Sequence, residues 1–440
     1  MKRTLIKETA QLSGKEVQIE GWVHTVRDHG KITFVDIYDM TDLIQVVGKS
    51  EDLSQLRPQF VVKVEGNVQN RPTPTVNEKL PTGKVEIKAR LVEILSRAQE
   101  LPFDMGALDL DLQLPTLLDF RALTLRHPQV KSIFKVQAAI VDGFRKAAKN
   151  LDCTEIFVPT IAASATEGGA EVFKVDYYGH KAYMTQSPQL YKQMLVPVFE
   201  RVFTIAHAYR AEPSVTTRHL SEATQLDCEI GFATFEDLLD MLEEVAITML
   251  KYVQESCVDV FKDYKLKPIA FGKIPRLTLR EAQEVIFKEF KRDSRKEKDL
   301  APQDEVDICK WALTKYKSDF VTITKFPMAA KPFYTMPDPD NPQYSLSYDL
   351  LFRGVEVLSG SQRINDYKKL VDAIKAKGMD TKSFEMYLQA FKYGMPPEGG
   401  FSFGLERLTM HILELGNVRE ASLFPRDMER VDVRLSTLIK

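Results

Sequence analysis

Two arginine-bearing segments, far apart along the chain, constrain it more than any other feature. Tyr209-Arg210-Ala211-Glu212 is followed by Thr217-Arg218-His219-Leu220, and much later comes Gly404-Leu405-Glu406-Arg407. Arginine is always charged and presents a planar fork that suits phosphate and carboxylate oxygens. Fixed cations of this kind, with acidic residues between them, describe a pocket for a ligand rich in phosphate or carboxylate oxygens. If both segments serve one pocket, the fold has to bring their strands together. The chain has no Walker lysine loop and no GxGxxG turn, which excludes a P-loop or Rossmann solution to that problem.

At 440 residues the chain exceeds one ordinary core, so two or three domains are expected. No apolar stretch is long enough for a membrane helix, and the N-terminus has no signal-like apolar segment, so a cytoplasmic protein is expected. The net charge of −2 makes no global demand for nucleic acid, although a local basic face is enough to bind RNA. Cys153, Cys228, Cys257 and Cys309 are widely spaced and form no CxxC pair, which argues against a zinc site or a disulfide framework.

Residues 16–95 read as five short strands with turn signals and no long helical pattern, which fits a small barrel. Residues 1–100 are therefore expected as an N-terminal barrel, 101–131 as a hinge broken by Pro102 and Pro128, and 132–440 as an α+β domain on an antiparallel sheet flanked by helices. Ser132 is expected to cap a helix that leads to the strand 154–160. Thr234 with Asp237 has capping-box spacing ahead of the apolar stripe Leu238, Leu242, Val245, Met249 and Val253. Strands are expected at 201–209, 224–232 and 344–358. Residues from about 255 to 325 read as an insertion, and Lys288 to Glu305 within it as a solvated charged segment.

The strand Gln225 to Ile230 alternates. Leu226, Cys228 and Ile230 fall on one face, and Gln225, Asp227 and Glu229 on the other. Three polar side chains on one face of an interior strand call for partners, and Asp227 suits a ligand ammonium group. Asp349 and Glu356, seven apart, are followed by Ser359-Gly360 and Gln362-Arg363; carboxylates beside a polyphosphate are a natural Mg²⁺ site. The Gly399-to-Gly404 stretch lets backbone approach a nucleotide closely.

Together these segments resemble motifs 2 and 3 of the class II aminoacyl-tRNA synthetases, and the details resemble the aspartyl branch. The resemblance implies an N-terminal OB-fold that binds the anticodon and a catalytic domain that uses ATP and Mg²⁺ to activate L-aspartate and load it onto tRNA. It implies that Arg210 and Arg407 are catalytic. ATP would be held by Arg210, Glu212, Arg218, His219, Leu220, Glu356, Gly404 and Arg407, and Mg²⁺ by Glu356 and Ser359, with Asp349 nearby. The stretch Thr166-Glu167-Gly168-Gly169 resembles a mobile loop that closes over the amino acid, with Glu167 on its ammonium group. Gln186-Ser187-Pro188-Gln189-Leu190-Tyr191-Lys192-Gln193 resembles the segment whose lysine pairs with the substrate side chain. Aspartate would then be bound by Glu167, Gln189, Lys192, Asp227 and Arg363, with Lys192 and Arg363 forming a doubly cationic pocket that rejects asparagine.

In the barrel, the resemblance assigns Arg27, Phe34, Gln45 and Glu86 to the anticodon; Phe34 reads equally well as a stacking ring or as core. His24, two residues after Trp22, is similar to enzymes that also charge asparagine tRNA. Residues 132–160 match the segment through which such enzymes form homodimers. The chain departs from the family pattern at Ser361, Ser402 and Glu398, the last standing where archaeal relatives often have histidine. Two other readings stay open: an asparaginyl-tRNA synthetase, opposed by Lys192 and Asp227, and an adenylate-forming ligase that makes asparagine without RNA, opposed by the barrel.

Overall fold

The computed structural model describes residues 1–78, 80–107, 109–163, 171–213, 216–438 of the chain. It divides into two compact units, Met1–Leu112 and Gln113–Lys440.

The first unit is a closed five-stranded barrel. Its strands are β1 (Glu16–Asp28), β2 (Ile32–Tyr38), β3 (Leu43–Lys49), β4 (Val61–Asn70) and β5 (Val85–Ser96), joined in the order β1-β2-β3-β5-β4. Closure leaves no free edge among them. Alternation sorts the side chains as the sequence pattern requires: Val35 and Ile37 enter the barrel core with Ile19, Val46 and Val64, all fully buried. Phe34 lies outside that core and meets His29 edge-on, their rings 5.5 Å apart, so the core reading of Phe34 is not the one the fold adopts.

The second unit is built on an eight-stranded sheet. Its strands are β6 (Thr154–Glu155), β10 (Arg201–Tyr209), β11 (Glu222–Gly231), β12 (Arg276–Thr278), β13 (Phe320–Thr324), β14 (Ser347–Phe352), β15 (Val355–Gln362) and β16 (Glu398–Gly404). A small separate sheet holds β7 (Ile161–Ala162), β8 (Lys174–Tyr177) and β9 (His180–Met184). The large sheet runs β12-β13-β14-β15-β16-β11-β10-β6. Its six central strands are antiparallel, but β6 pairs parallel with β10 and β12 parallel with β13, so the sheet is mixed rather than purely antiparallel.

Two long helices cover one face, α1 (Pro128–Asn150) and α3 (Phe235–Ser256). Between them and the sheet lies the main core, where Leu226, Cys228 and Ile230 of β11 meet Ile140, Phe144, Leu242 and Met249. The capping box at Thr234 forms: its Oγ accepts from the Asp237 amide and the Asp237 carboxylate accepts from the Thr234 amide at 2.8 Å. Ser132 is not a cap. Pro128 opens α1, because its missing N–H is one the first turn leaves unpaired anyway, and the Ser132 hydroxyl donates to the Pro128 carbonyl inside the helix.

Three other expectations are corrected. The span 344–358 is a hairpin, turned at Arg353 and Gly354, whose φ values of 48° and 92° lie in the left-handed region that reverses two strands tightly. Residues 113–131 of the expected hinge fold with the second unit: Arg121 is buried and donates to the carbonyls of Glu420, Ser422 and Leu423. The segment 255–325 supplies β12 and β13 to the sheet, and helices α4 (Leu279–Phe290) and α5 (Pro302–Tyr316) pack Ile286 and Ile308 against Val321 and Leu351. Its charged stretch is not uniformly solvated, since Asp304 and Asp307 are buried and Arg292 bridges both.

Candidate active site

A cavity of about 280 Å³ opens on the sheet face opposite α1 and α3. The register explains why distant segments meet there. Strand β11 lies between β10 and β16, so Asp227 pairs with Thr204 on one side and Ser402 on the other. Arg210 follows β10 directly, and Gly404 closes β16 at the start of helix α7 (Leu405–Ile412). Glu406 secures that junction, its carboxylate accepting from the Thr224 amide at 2.9 Å. The cavity is lined by Gln189, Lys192, Arg210, Glu212, Arg218 and His219. Leu220, Asp227, Glu356, Ser359, Arg363, Gly404 and Arg407 complete the wall. Thirteen positions singled out from sequence thus converge. Asp349 lies just behind, and Glu167 falls outside the described residues.

One end of the cavity is a buried ionic group. Lys192 Nζ, on helix α2 (Gln189–Met194), lies 2.7 Å from Asp227 Oδ1 and 3.0 Å from Glu229 Oε2. Arg363 donates from Nε to Glu229 Oε1 at 2.7 Å and from its terminal nitrogens to Ser361 Oγ and the Gly400 carbonyl; its guanidinium also lies over the Tyr334 ring at 5.2 Å. The expected doubly cationic pocket is therefore neutralised from behind, two cations against two carboxylates. This is how the fold buries the cations at all, since an unpaired buried charge is prohibitive. Burial acts against the charged lysine, yet Asp227 and Glu229 hold its pKa above the ordinary value. Burial likewise opposes ionisation of Glu229, but Arg363 and Lys192 hold it down at about 2. For Asp227 burial wins over Lys192 and Ser402, and its carboxyl is raised.

The other end carries the arginines. Arg218 contacts Glu305 of α5 at 3.2 Å, and Arg407 faces Glu356 at 3.6 Å. Burial first, then the proximity of Asp349, raises Glu356 to about 7; burial also raises Glu305 to about 7 despite Arg218. Asp349 and Ser359 are cross-strand neighbours on β14 and β15, and Asp349 Oδ1 is buried with no hydrogen-bond partner. An orphaned carboxylate oxygen beside a second, strained carboxylate fits a hard dication shared with phosphates. Among the described residues no group of three or more His, Cys, Asp or Glu converges into a self-sufficient metal cage. The positions are therefore suited to Mg²⁺ that arrives with its polyphosphate.

The raised Glu356 makes a prediction about pH. Its folded pKa lies above its unfolded one, so ionising it costs stability, and that cost grows as pH rises from the unfolded value through about 7. Glu356→Gln is expected to melt higher than the wild type at pH 8, with the difference vanishing near pH 5, while losing ATP–pyrophosphate exchange. Equal melting curves at both pH values would remove the repulsion argument.

The barrel residues form a separate group on its outer face. Arg27 pairs with Asp36 at 2.7 Å and reaches Gln45 at 3.3 Å, and Gln45 donates to Glu86 at 2.8 Å. Phe34 is the cross-strand neighbour of Arg27. His24 meets Tyr38 edge-on, and Trp22 stacks on the same tyrosine.

Several site residues escaped the sequence reading. Glu305 was masked by the charge density around it. Lys331, 3.4 Å from Asp349, follows no motif. Glu398 stood out only as a departure from pattern, yet it is fully buried against Glu229 and Gln193.

Comparison with known proteins agrees with this architecture. Residues 17–95 match the model for the OB-fold nucleic acid binding domain, and residues 113–428 that for tRNA synthetases class II (D, K and N). The chain is 40% identical to the aspartate--tRNA(Asp/Asn) ligase of Thermus thermophilus, over 98% of this chain and 99% of that protein. It is 37% identical to the aspartate--tRNA(Asp) ligase of Pyrococcus abyssi, over 96% and 97%. Among solved structures, the asparaginyl-tRNA synthetase of Pyrococcus horikoshii complexed with asparaginyl-adenylate superposes with a TM-score of 0.87 at 29% identity, covering 98% of this chain and 99% of that one. The aspartyl-tRNA synthetase of Entamoeba histolytica gives 0.86 at 29%, covering 98% and 93%. With residues 113–428 matched by the catalytic-domain model and a relative 40% identical over nearly the full length, the chain, with its arginine-lined cavity, belongs to the class II tRNA synthetases of the D, K and N group.

Proposed function

We propose that the chain is an aspartate--tRNA ligase that activates L-aspartate with ATP and transfers it to the 3′ end of both tRNA(Asp) and tRNA(Asn). The observation that carries this reading is the Lys192–Asp227–Glu229–Arg363 group at the closed end of the arginine-lined cavity. A side-chain carboxylate there can accept from both Lys192 and Arg363, whose charges Asp227 and Glu229 already balance from behind, whereas a side-chain amide turns an NH₂ donor toward one of them. Asp227 and Glu167, the latter outside the described residues, receive the ammonium group, and Gln189 lines the same end.

Arg210 binds the substrate α-carboxylate and the α-phosphate, bringing nucleophile and electrophile together; Arg218, His219 and Arg407 hold the outer phosphates. Glu212, Leu220 and Gly404 pack around the base and backbone of the nucleotide. Glu356 and Ser359, with Asp349 behind, would hold Mg²⁺, which would supply charge neutralisation at the phosphates. The carboxylate oxygen attacks the α-phosphorus, pyrophosphate leaves, and the terminal ribose hydroxyl of tRNA then displaces AMP from aspartyl-adenylate. These residues act by positioning and charge stabilisation, with no covalent intermediate on the protein. Arg27, Phe34, Gln45 and Glu86 form the anticodon-reading face of the barrel, a ring for stacking beside groups that read base edges. The enzyme acts in the cytoplasm as a homodimer through 132–160, where Phe157 is 87% exposed.

The relaxed tRNA range rests on His24. Charging of purified tRNA(Asp) and tRNA(Asn) with labelled aspartate is expected for the wild type, and His24→Trp is expected to narrow it to tRNA(Asp). Charging of tRNA(Asp) alone by the wild type removes the relaxed reading. Charging of neither, with asparagine formed from aspartate and ammonia, points instead to the RNA-independent ligase. The likeness to an asparaginyl-tRNA synthetase structure favours a second reading; asparagine-dependent ATP–pyrophosphate exchange exceeding the aspartate-dependent rate would establish it.

A further inference from the structure

Behind the cation pair lies a third carboxyl, Glu398, the first residue of β16, which is fully buried. Its surroundings fix how its oxygens are used. Gln193 Oε1 accepts from Gln189 Nε2 at 2.9 Å and from the Tyr387 hydroxyl at 3.1 Å. The Gln193 amide is thereby oriented, so its Nε2 donates to Glu398 Oε1 at 2.7 Å. Glu398 Oε2 is buried without a hydrogen-bond donor, and the Glu398 carboxyl lies against the Glu229 carboxylate, which is already gripped by Arg363 and Lys192. Two buried carboxylates cannot touch as two anions; one of them carries a proton. Glu229 is the ionised member, since Arg363 grips it through both oxygens at 2.7 and 3.2 Å. The cations are also matched without Glu398, Lys192 and Arg363 against Asp227 and Glu229. Burial, and then Glu229, push the Glu398 carboxyl well above its ordinary range, while Arg363 and the Gln193 amide do not offset them. The other ionisable groups around it, Tyr387 and Tyr348, are themselves raised by burial and stay neutral.

We propose that Glu398 is a positioning residue for amino-acid selection: it remains a neutral carboxylic acid and donates its proton to Glu229, holding Glu229 in the paired geometry that presents Arg363 and Lys192 to the cavity. The space leaves Glu229 little alternative. A Cβ at Gly400 would stand 2.2 Å from Glu229 Oε2, so this carboxylate packs directly on the backbone of β16, two residues beyond Glu398. The Glu398 carbonyl also accepts from the Arg363 amide at 2.9 Å, so one residue fixes the arginine's backbone and, through Glu229, its guanidinium. Nothing in this arrangement touches ATP. The inference rests on the proposal that aspartate occupies this end of the cavity.

Glutamine at 398 keeps the shape and both hydrogen bonds, its amide nitrogen donating to Glu229 and its oxygen accepting from Gln193, but it cannot ionise. In the purified full chain at pH 7, the infrared difference spectrum, wild type minus Glu398→Gln, is expected to show a neutral carboxylic-acid carbonyl band; the raised carboxyls of Glu305, Glu356 and Asp227 are common to both proteins and cancel. In aspartate-dependent ATP–pyrophosphate exchange, Glu398→Gln is expected to keep KM for aspartate within about threefold. Glu398→Ala is expected to raise it about tenfold or more, because Glu229 loses its donor and Gln193 its acceptor. KM for ATP should stay unchanged in both. A difference spectrum without that band overturns the proposal, as does a rise in KM for aspartate with the glutamine variant equal to that with alanine. If Glu398→Ala does not fold, the infrared and glutamine results decide alone. Absence of aspartate-dependent exchange in the wild type would instead overturn the substrate reading, while the infrared result would still judge the proton on Glu398.

Discussion

Arg363→Leu is expected to abolish aspartate-dependent pyrophosphate exchange and to lower the stability of the protein at neutral pH. Arg363 supplies both bonds of the bidentate grip on Glu229 and anchors to Ser361 and the Gly400 carbonyl. Leucine would leave Glu229 with Lys192, which Asp227 already occupies, as its one remaining cation. Removing one partner from a buried ion pair costs about 3–5 kcal/mol, because the other charge stays buried without compensation. The pH dependence has a definite sign. Glu229 is held at about 2 in the fold, below its unfolded value, so its pairing stabilises the protein above the unfolded pKa and ceases to do so as pH falls through about 2. Urea unfolding should therefore show the widest gap between wild type and variant near neutrality, narrowing as the medium becomes acidic. A gap that stays constant with pH would mean that lost packing on Tyr334, not charge, dominates.

Arg210→Ala has the opposite profile. Arg210 lies at the exit of β10, held by its backbone to Ser221, and its side chain lines the open cavity rather than a buried ion pair. Its loss should leave the melting temperature within about a degree or two, the usual scale for a surface substitution. Yet exchange should fall by about 10³-fold, the scale for removing a preorganised charge from a developing transition-state oxyanion. Exchange and thermal melting on the same preparation separate the two cases. A melting loss comparable to that of Arg363→Leu would make Arg210 a structural residue.

The contrast between these arginines shows what the sequence could and could not convey. Strand alternation correctly placed Leu226, Cys228 and Ile230 in the core and Gln225 and Asp227 on the cavity face, because period two is a local property of an extended chain. The barrel core followed from the same rule. What local pattern could not convey was who stands behind whom. Glu229 faces Arg363 across an interval of 134 residues, and Gln193 faces Glu398 across 205, so their pairing depends on sheet order, which alternation does not encode. The Glu305 contact with Arg218 was lost for a related reason. Among many charges in one stretch, only packing of α5 decides which one turns inward. The hairpin at Arg353-Gly354 was legible in principle from its glycine, but the apolar residues on both sides read as one continuous strand.

Sheet order has a consequence for how the protein comes into being. Strand β16, residues Glu398–Gly404, is inserted between β15 and β11 and is the last strand of the sheet to be synthesised. Until it emerges from the ribosome, β11 and β15 each expose a row of unpaired amides and carbonyls, and Asp227 lacks its neighbour Ser402. Between the completion of β15 at Gln362 and that of β16 at Gly404, the nascent chain thus carries two open strand edges of the kind that recruit foreign strands. A truncated product ending before residue 398 would have no cavity, and would need a chaperone rather than a substrate.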